Sequence, residues 1–351
     1  MYRKLLILTV IITLIIGTKV NAQEKITLGV SPPIFELDVF LGEEISKEIK
    51  VTNKSDVPIP ILARVLDFTA EDETGEMIFE EGTEDSSRFW FEIENPNFIL
   101  NAGESRKVNF KISVPKDTQI GGYYSVLLFE PQLPSFYFRE GEPRAIPVMG
   151  VLFMLSVKTL SLEALNREKL QVVEFSLPKE QRLVGLENFL SKLTAGIARA
   201  AEFTVIEKSP SKFTLKLKNN DIYHLKPFGK VLIYNFFGKK VGETEVSKQT
   251  ILPGKIRIFP VNFSPKIPSQ FNWLPASISK FLVENTFFGR YKAVLALEAE
   301  DAKIENAIVF WVFTWKLVSI VFLLGLTLIF GIINRKRIKL ALKVMVRGKK
   351  V

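Results

Sequence analysis

Few residues of this chain are equipped to do chemistry. His224 is the only histidine among 351 residues, and cysteine is absent. A Ser-His-Asp triad or a histidine metal site would depend on this one residue, although metal sites normally draw on several ligands. Without cysteine, disulfides, thiolate metal sites and cysteine nucleophiles are excluded. His224 lies in a turn-forming stretch between two predicted strands, so we expect an ordinary turn residue, no metal site and no cofactor.

Two other groups of residues suggest binding. Five carboxylates surround the turn at Gly75 and have the oxygen ligands that Ca²⁺ prefers: Asp67, Glu71, Asp72, Glu73 and Glu76. They lack the alternating ligand spacing of an EF-hand loop, which favours a solvated hairpin tip. Three aromatic residues and an arginine follow one another further along, and such clusters resemble binding hot spots when exposed. We take these four as the candidate binding site, with packing against a core as the alternative: Phe136, Tyr137, Phe138 and Arg139.

Enzyme activity has little support in the sequence. Neither a Gly-rich phosphate loop nor a nucleophile elbow occurs. A carboxylate pair for glycoside hydrolysis has no fixed sequence spacing, and nothing marks such a pair here. We expect a protein that is not an enzyme, and a cell-wall glycan hydrolase is the weakest of the functions considered.

The net charge of +9 is concentrated at the two ends of the chain. Residues 1–22 carry a net charge of +3 and residues 334–351 a net charge of +8, which leaves a net −2 for the span between them. The basic character therefore belongs to targeting and membrane topology, and we expect no nucleic-acid partner.

Both ends also carry apolar runs. Residues 1–22 combine a basic start, a short apolar run and the ending Val-Asn-Ala, which predicts a secretory signal peptide cleaved before Gln23. Residues 316–334 are predicted to form a transmembrane helix, because the apolar run is close to ~20 residues and Trp315 and Lys316 stand at its edge. The basic tail, 335–351, then places the C-terminus in the cytoplasm. These signals predict a single-pass type I protein of the cell membrane with an extracellular or periplasmic ectodomain.

The ectodomain reads as short strands with alternating apolar residues, separated by turn sequences, without βα alternation. This pattern predicts a mainly β protein with two tandem Ig-like antiparallel β-sandwiches, at residues 23–160 and 161–315. Strand-then-Asn patterns end at Asn53 and Asn219, and Gly-x-Tyr patterns end at Tyr124 and Tyr291. The similar offsets between these pairs indicate an internal duplication. We expect Tyr124 and Tyr291 to have structural roles near sandwich corners.

The order of the motifs in the first half adds a family resemblance. Residues 31–157 resemble the first, peptidoglycan-binding, Ig-like domain of the WxL-interacting protein family of bacterial cell surfaces. The motifs that match are Ile49-Lys50-Val51-Thr52-Asn53, Asp67-Phe68-Thr69, Glu73-Thr74-Gly75-Glu76, Trp90, Leu100-Asn101-Ala102-Gly103-Glu104-Ser105, Val114-Pro115-Lys116-Asp117 and Gly121-Gly122-Tyr123-Tyr124. The resemblance implies a membrane-anchored surface protein that binds peptidoglycan, another cell-wall polymer or surface proteins. In the second predicted domain, the segments 178–211 and 265–289 exceed what a minimal Ig-like domain needs.

Those two extra segments have helical periodicity. In the first, Leu186, Phe189 and Leu190 share a face, and in the second Ile278 and Phe281 do. Such faces either cap the core of the second domain or lie on the bilayer surface, where apolar and aromatic residues partition favourably. Candidate membrane-interface residues are Trp273, Phe287, Phe288, Trp315 and Lys316.

Two functions remain open from the sequence. The first is a non-enzymatic, membrane-anchored surface protein that binds cell-wall polymer or surface proteins through its Ig-like domains. The alternative is a membrane-tethered assembly factor or chaperone for secreted surface proteins, which would donate or accept a strand at an open sheet edge.

Overall fold

The structure is a computed structural model that describes residues 26–83, 86–133, 147–159, 169–194, 204–267, 273–285, 287–299 and 302–335. The chain forms two compact units. The first unit comprises Met1–Thr69 and Ile78–Leu162, and the second comprises Ala70–Met77 and Glu163–Val351. The short segment joins the second unit through Glu73, whose carbonyl accepts a 2.7 Å hydrogen bond from the Ile258 amide.

The described part of the first unit is built from ten strands. In chain order they are β1 (Leu28–Ser31), β2 (Ile34–Phe40), β3 (Glu44–Asn53), β4 (Ile59–Ala70), β5 (Met77–Glu80), β6 (Phe91–Ile93), β7 (Asn97–Leu100), β8 (Ser105–Ser113), β9 (Gly121–Pro131) and β10 (Met149–Lys158). One sheet has the order β1-β3-β8-β6, and the other has the order β2-β10-β9-β4-β5, with β7 also paired to β4. The β2–β10 pair is parallel.

The core of the first unit lies between these sheets because apolar side chains alternate along the strands. Phe129 and Phe153 are fully buried within it. Phe110 meets Phe153 edge-on at 5.2 Å, and Phe35 stacks on Phe153 at 5.0 Å. Burial of such large rings is the main stabilising term in a fold without disulfides.

The described part of the second unit has eight strands and three helices. The strands are β11 (Leu170–Ser176), β12 (Val205–Ile206), β13 (Lys212–Asn219), β14 (Phe228–Asn235), β15 (Lys240–Val246), β16 (Ile256–Asn262), β17 (Gly289–Ala299) and β18 (Ala302–Val312). The helices are α1 (Val184–Thr194), α2 (Ala276–Asn285) and α3 (Trp315–Ile333). Three strands form one sheet in the order β11-β13-β16, and five form the other in the order β12-β18-β17-β14-β15.

Strand alternation again explains which side chains fill the second core. On β13, Phe213, Leu215 and Leu217 are buried, while Thr214 and Lys216 between them are only partly buried. On β17, Tyr291, Ala293 and Leu295 face the same core. This period of two is the pattern that predicted the mainly β architecture from sequence.

The two helices α1 and α2 lie within the segments that carry helical periodicity, but their buried faces differ from the apolar ones. On α1, Glu187 is only 6% exposed whereas Phe189 is 59% exposed. On α2, Ser279 and Val283 are buried while Ile278 and Phe281 are 46% and 40% exposed. Of the two alternatives for the apolar faces, capping of the core does not describe Phe189, Ile278 and Phe281, because their side chains are exposed.

A buried ion pair accounts for the orientation of α1. The Glu187 carboxylate accepts hydrogen bonds from Arg182 Nη2 at 2.8 Å and from the Val205 amide at 2.7 Å. A buried carboxylate needs such partners, so the helix turns its charged residue inward.

Two residues separate the end of β18 at Val312 from the start of α3 at Trp315. Its large apolar side chains are exposed, among them Phe322 at 65% and Leu324 at 63%. Searched over the described residues, the structure contains no helix that combines the length and hydropathy needed to cross a membrane.

The internal duplication has a matching pair of asparagines. Asn53 and Asn219 are both fully buried at the end of a strand. The Asn53 side-chain amide donates to the carbonyls of Val57, Leu100 and Asn101 at 2.7–3.1 Å. The amide of Asn219 donates in the same way to the carbonyls of Tyr223 and Ile251, at 2.7 and 2.9 Å.

The inward tyrosines of the two units also correspond, but in the first unit the residue is one position earlier than the motif predicted. Tyr291 is 8% exposed and its hydroxyl accepts a 3.2 Å hydrogen bond from the Phe288 amide. In the first unit the inward residue is Tyr123, whose hydroxyl donates to the Gln119 carbonyl at 3.0 Å. Tyr124 lies beside Phe68 at 5.8 Å, outside the core cluster. The counterpart of Tyr291 is thus Tyr123, because adjacent strand residues face opposite sides.

Candidate functional site

The first candidate site is the edge of the six-stranded sheet at the start of β10. On one side β10 pairs with β9 from Met149 to Val157. On the other side β2 covers β10 only from Leu152 onward. Among the described residues, no strand pairs with this second side of Met149–Val151.

Two prolines create this opening. The Leu152 amide donates to the Pro33 carbonyl at 3.0 Å, which marks the point where β2 reaches β10. Before Pro32 the chain runs as β1 and pairs with β3 in the opposite sheet. Proline lacks an N–H and cannot continue a ladder, so the chain changes sheets here. Alternate backbone groups share a side, and those of Gly150 therefore face the open edge.

The side chains at the opening are apolar. Val148 is 45% exposed, Val151 is fully buried, and Met149 packs partly against the core. Across the sandwich, Val30 of β1 is also partly buried against this core. An added strand would find unpaired backbone beside apolar surface, which is the chemistry of strand addition.

A second feature of the first unit is an open groove of about 370 Å³. Val65, Phe91, Ile93 and Pro96 supply an apolar lining, and Arg88 and Phe89 complete it. The Arg88 guanidinium lies 4.4 Å from the centre of the Phe89 ring, which is itself 60% exposed. The groove offers an apolar slot with one guanidinium beside it. Sequence reasoning missed it because its residues come from separate strands, a helical turn and a loop.

The structure does not gather the five carboxylates around Gly75. Asp67 points into the first unit, where its Oδ1 accepts from Ser125 Oγ at 3.1 Å and from the Arg88 amide at 3.2 Å. Burial raises the pKa of the Asp67 carboxyl. Glu73 instead forms a 2.5 Å ion pair with Lys216 in the second unit. The described residues contain no group of three or more histidines and acids suited to a metal ion.

The other predicted residues are spread over the chain. Phe136, Tyr137, Phe138 and Arg139 lie outside the described residues, in the connection between β9 and β10, and their binding role stays a prediction. His224 is partly buried in the connection between β13 and β14, next to the bridge between Leu225 and Ile251.

The five candidate membrane-interface residues differ in exposure. Trp273, Phe288 and Trp315 are 79%, 60% and 49% exposed. Phe287 is only 8% exposed and packs between Phe263 and Tyr291, so its side chain is a core residue and is not available to a bilayer. Lys316, next to Trp315, forms a 2.8 Å ion pair with Glu207.

The burial of Phe287 was not predictable, because apolar sequence does not distinguish neighbouring residues at a strand entry. The pair Phe287-Phe288 precedes β17, and one ring turns inward and the other outward. The signal for the β10 edge was present in the sequence as Pro32-Pro33, which forbids a continuous ladder. The partner strand of β10, however, could not be read from the same residues.

Comparison with known proteins gives only distant structural similarity. No family model and no curated protein matches the chain. The class 5 fimbriae chaperone CfaA has 13% identity over 82% of this chain and 99% of that chain, with a TM-score of 0.37. The CupB2 chaperone of Pseudomonas aeruginosa has 10% identity over 81% and 100%, with a TM-score of 0.32. The CsuC–CsuE chaperone–tip adhesion complex of Acinetobacter baumannii has 14% identity over 66% of this chain and 89% of that chain, with a TM-score of 0.31. Similarities this low carry no inference about function.

Proposed function

We propose that this protein is a membrane-anchored, non-enzymatic assembly factor that binds an extended segment of a secreted polypeptide at the open edge of β10. The observation that carries the proposal is the incompletely covered strand β10, in which β2 pairs with seven of ten residues and leaves Met149–Val151 open. Its backbone at Gly150 faces a side that no described strand occupies. Peptidoglycan or another cell-wall polymer stays a predicted partner, since no contact or charge pattern described above favours a glycan.

The opening favours a polypeptide over other ligands for two reasons. Main-chain groups supply affinity to any extended chain, and apolar surface beside them selects side chains at alternate positions. Val148, Met149 and Val151 carry no charge that would repel an incoming strand. Natural sheets protect their free edges with charged residues or bulges, and this short stretch has neither.

Anchoring rests on α3 and the sequence that follows it. The helix has 19 residues, which span about 28 Å at 1.5 Å per residue. The described helices include none with the length and hydropathy of a membrane span, so the apolar run 316–334 and the basic tail after it are what support anchoring by α3. Its apolar side chains are exposed all round, as expected for a lipid-facing helix. The signal sequence and the basic tail favour an ectodomain outside the cytoplasm.

Hydrogen–deuterium exchange on the detergent-solubilised full chain tests the binding site. Extended peptides of about ten residues with alternating apolar side chains, long enough to add a strand, are the ligands. We expect added protection at residues 148–151. The same peptides with a central proline are the matched control and should protect less, because proline removes a ladder donor. Equal protection by both peptide sets, or none by either, would rule out strand addition here.

A pair of variants tests whether the edge itself carries binding. Val148→Lys places a charge at the opening and should weaken peptide binding by about tenfold, as edge lysines do in natural sheets. Val173→Lys is the control, because Val173 is 46% exposed on β11 in the second unit and Val148 is 45% exposed. An equal effect of both substitutions would assign the loss to net charge and not to the edge.

A further inference from the structure

The tip of the β14–β15 hairpin carries the two most exposed phenylalanines of the described chain. Phe236 is 70% exposed and Phe237 is 88% exposed. Their rings touch each other edge-on, with centroids 5.6 Å apart. Neither ring belongs to the core of the second unit. Two adjacent large apolar side chains in water are unusual unless they meet a partner.

The turn is built so that both rings point outward. The Asn235 side-chain oxygen accepts hydrogen bonds from the amides of Phe237 and Lys239, at 3.1 and 3.0 Å. Gly238 has a φ of +74°, the left-handed conformation that glycine adopts readily. The ladder also shifts register between Ile233 and Tyr234, which is the bulge that commonly accompanies such a turn. The exposure of the rings is therefore a property of a well-formed turn.

Strand register places this tip at the end of the sheet from which α3 leaves. Asn235 at the end of β14 pairs with Tyr291 on β17, and Tyr291 pairs with Phe310 on β18. These three residues form one row across the sheet, about 10 Å wide at ~4.8 Å per strand. One to two residues beyond that row lie Phe236 and Phe237 on one side and Val312 on the other. Helix α3 follows Val312 almost at once.

Other exposed aromatic residues share this end of the sheet. Gly289 pairs with Val312, and directly beside this pair the rings of Phe288 and Phe313 lie 6.3 Å apart. Their exposures are 60% and 42%. Lys239 stands exposed beside the hairpin tip. Aromatic rings with neighbouring lysines are the composition of membrane–water interfaces.

We propose that Phe236 and Phe237 insert into the outer surface of the bilayer as a second membrane contact beside α3. This inference rests on the proposed anchoring by α3. The occupant is lipid because the rings stand level with the start of α3, the proposed anchor, and lie near the exposed aromatic rings of Phe288 and Phe313. The hairpin and the helix then hold the second unit at two points, which fixes its tilt over the membrane.

Spin labels attached to single cysteines test the proposal in the full chain reconstituted in lipid nanodiscs. The chain has no native cysteine, so each label reports one position. Phe237→Cys probes the hairpin tip, and Leu324→Cys probes the middle of α3. Lys303→Cys is the matched control, because Lys303 lies in a hairpin at the opposite end of the same sheet, nine residues or about 30 Å along the strands from Val312.

Collision with oxygen and with a water-soluble nickel chelate gives the depth of each label. We expect the label at 237 to lie roughly 5–10 Å below the headgroup surface, the label at 324 to lie deeper, and the label at 303 to be fully aqueous. An aqueous label at 237 beside a buried label at 324 overturns the inference and leaves the anchor intact. An aqueous label at 324 overturns the anchor itself.

A third outcome also contradicts the proposal. If the label at 237 is shielded from both collision reagents, or broadened by a second label, a protein or a second copy of the chain covers the tip instead of lipid. The variant with Phe236→Ser and Phe237→Ser supplies an independent readout. Because both side chains are exposed, it should fold normally and give the label at 303 greater motional freedom on the nanodisc. Unchanged motion would contradict a second membrane contact.

Discussion

The last strands of the two units, β10 and β18, differ in how they leave a sheet edge open. In the first unit a parallel strand covers seven residues of β10, from Leu152 to Lys158. In the second unit the parallel strand β12 covers only Trp311 and Val312 of β18. Within the described chain, β18 therefore has the longer uncovered edge.

The side chains favour the shorter edge instead, because the open part of β18 is charged and the open part of β10 is not. The open part of β18 carries Lys303, Glu305 and Asn306, all exposed. The open part of β10 is Met149–Val151 and carries no charge. Exposed charges along an edge discourage a further strand. The comparison teaches that unpaired backbone alone does not define a strand-binding site, since the side chains beside it decide whether another chain can add.

Replacement of the inward tyrosines should give the largest effect and tests whether the units share one core plan. Tyr291→Ala should lower the free energy of unfolding of the second unit by about 4 kcal/mol, since a large buried ring is lost. Tyr123→Ala should cost the first unit about 2 kcal/mol, because Tyr123 is only partly buried.

Urea unfolding of the full chain in detergent, followed by hydrogen exchange in each unit, measures both values. Tyr291→Phe is the control, and it should cost about 1 kcal/mol because only the hydrogen bond with the Phe288 amide is lost. A greater loss from Tyr123→Ala than from Tyr291→Ala would break the correspondence between the two tyrosines.

The buried asparagines give the next largest effect. Asn53→Ala removes a side chain that satisfies three backbone carbonyls and should cost the first unit about 3 kcal/mol. Asn219→Ala removes two such bonds and should cost the second unit about 2 kcal/mol. Asn220→Ala, one residue away and exposed, serves as the control and should change little. Equal stability of Asn53→Ala and the unaltered protein would remove the basis for the duplicated network.

Exchange of the edge character sharpens the comparison directly. The double variant with Lys303→Val and Glu305→Val removes two charges from β18 and should let this edge bind extended apolar peptides about fivefold more tightly, or about 1 kcal/mol. Isothermal titration with the peptides that protect residues 148–151 provides the measurement. If affinity is unchanged, the charges do not guard the second edge and its geometry must exclude a strand.

The smallest expected effect is a change in the stability of the first unit with pH, which arises from a buried carboxylate. The Asp67 carboxylate in the first unit accepts hydrogen bonds from the hydroxyls of Ser87 and Ser125 and from the Arg88 amide, and burial raises its pKa. An acid with a raised folded pKa stabilises the fold fully below its unfolded pKa, near 4, and loses that contribution as pH rises through the folded pKa. The first unit should therefore become slightly less stable between about pH 4 and its raised value.

Asp67→Asn separates this effect from other titrations. The variant keeps an oxygen to accept the same hydrogen bonds but cannot ionise, so the melting temperature of the first unit should lose its decline over that pH range. The second unit, where the buried Glu187 is paired with Arg182, should be the same in both proteins. A decline that persists in the variant would assign it to another group.

Much of the fold could be predicted from local pattern. Alternation on β13 and β17 identified strands with one buried face, and the strand-then-Asn pattern located residues whose side-chain networks match in both units. The errors arose where one residue decides the outcome. Tyr124 was chosen in place of Tyr123, and a shift of one residue in a strand exchanges the core face for the opposite face.

Sequence periodicity could not predict which helix faces are buried or where the candidate site lies. Apolar stripes on α1 and α2 left open whether those faces turn inward or towards a bilayer, and they did not indicate that Glu187 faces inward, where Arg182 and the Val205 amide satisfy it. The edge at β10 depends on which distant strand pairs with it, and a sequence records only that Pro32 and Pro33 interrupt a ladder. The hairpin rings at Phe236 and Phe237 become informative only when register places them beside α3.

The junction between β18 and α3 has a mechanical consequence. Only Phe313 and Thr314 separate the strand from the helix, and the side chain of Thr314 is 1% exposed, so the connection is short and partly packed. With α3 held in the bilayer, a load on the second unit would pass straight into β18. That strand pairs with β17 over eleven residues, from Gly289 opposite Val312 to Ala299 opposite Ala302. A pull along β18 loads these hydrogen bonds together in shear, whereas a flexible linker would first extend and absorb the motion. The junction therefore couples a load on the second unit directly to the hydrogen bonds between β17 and β18.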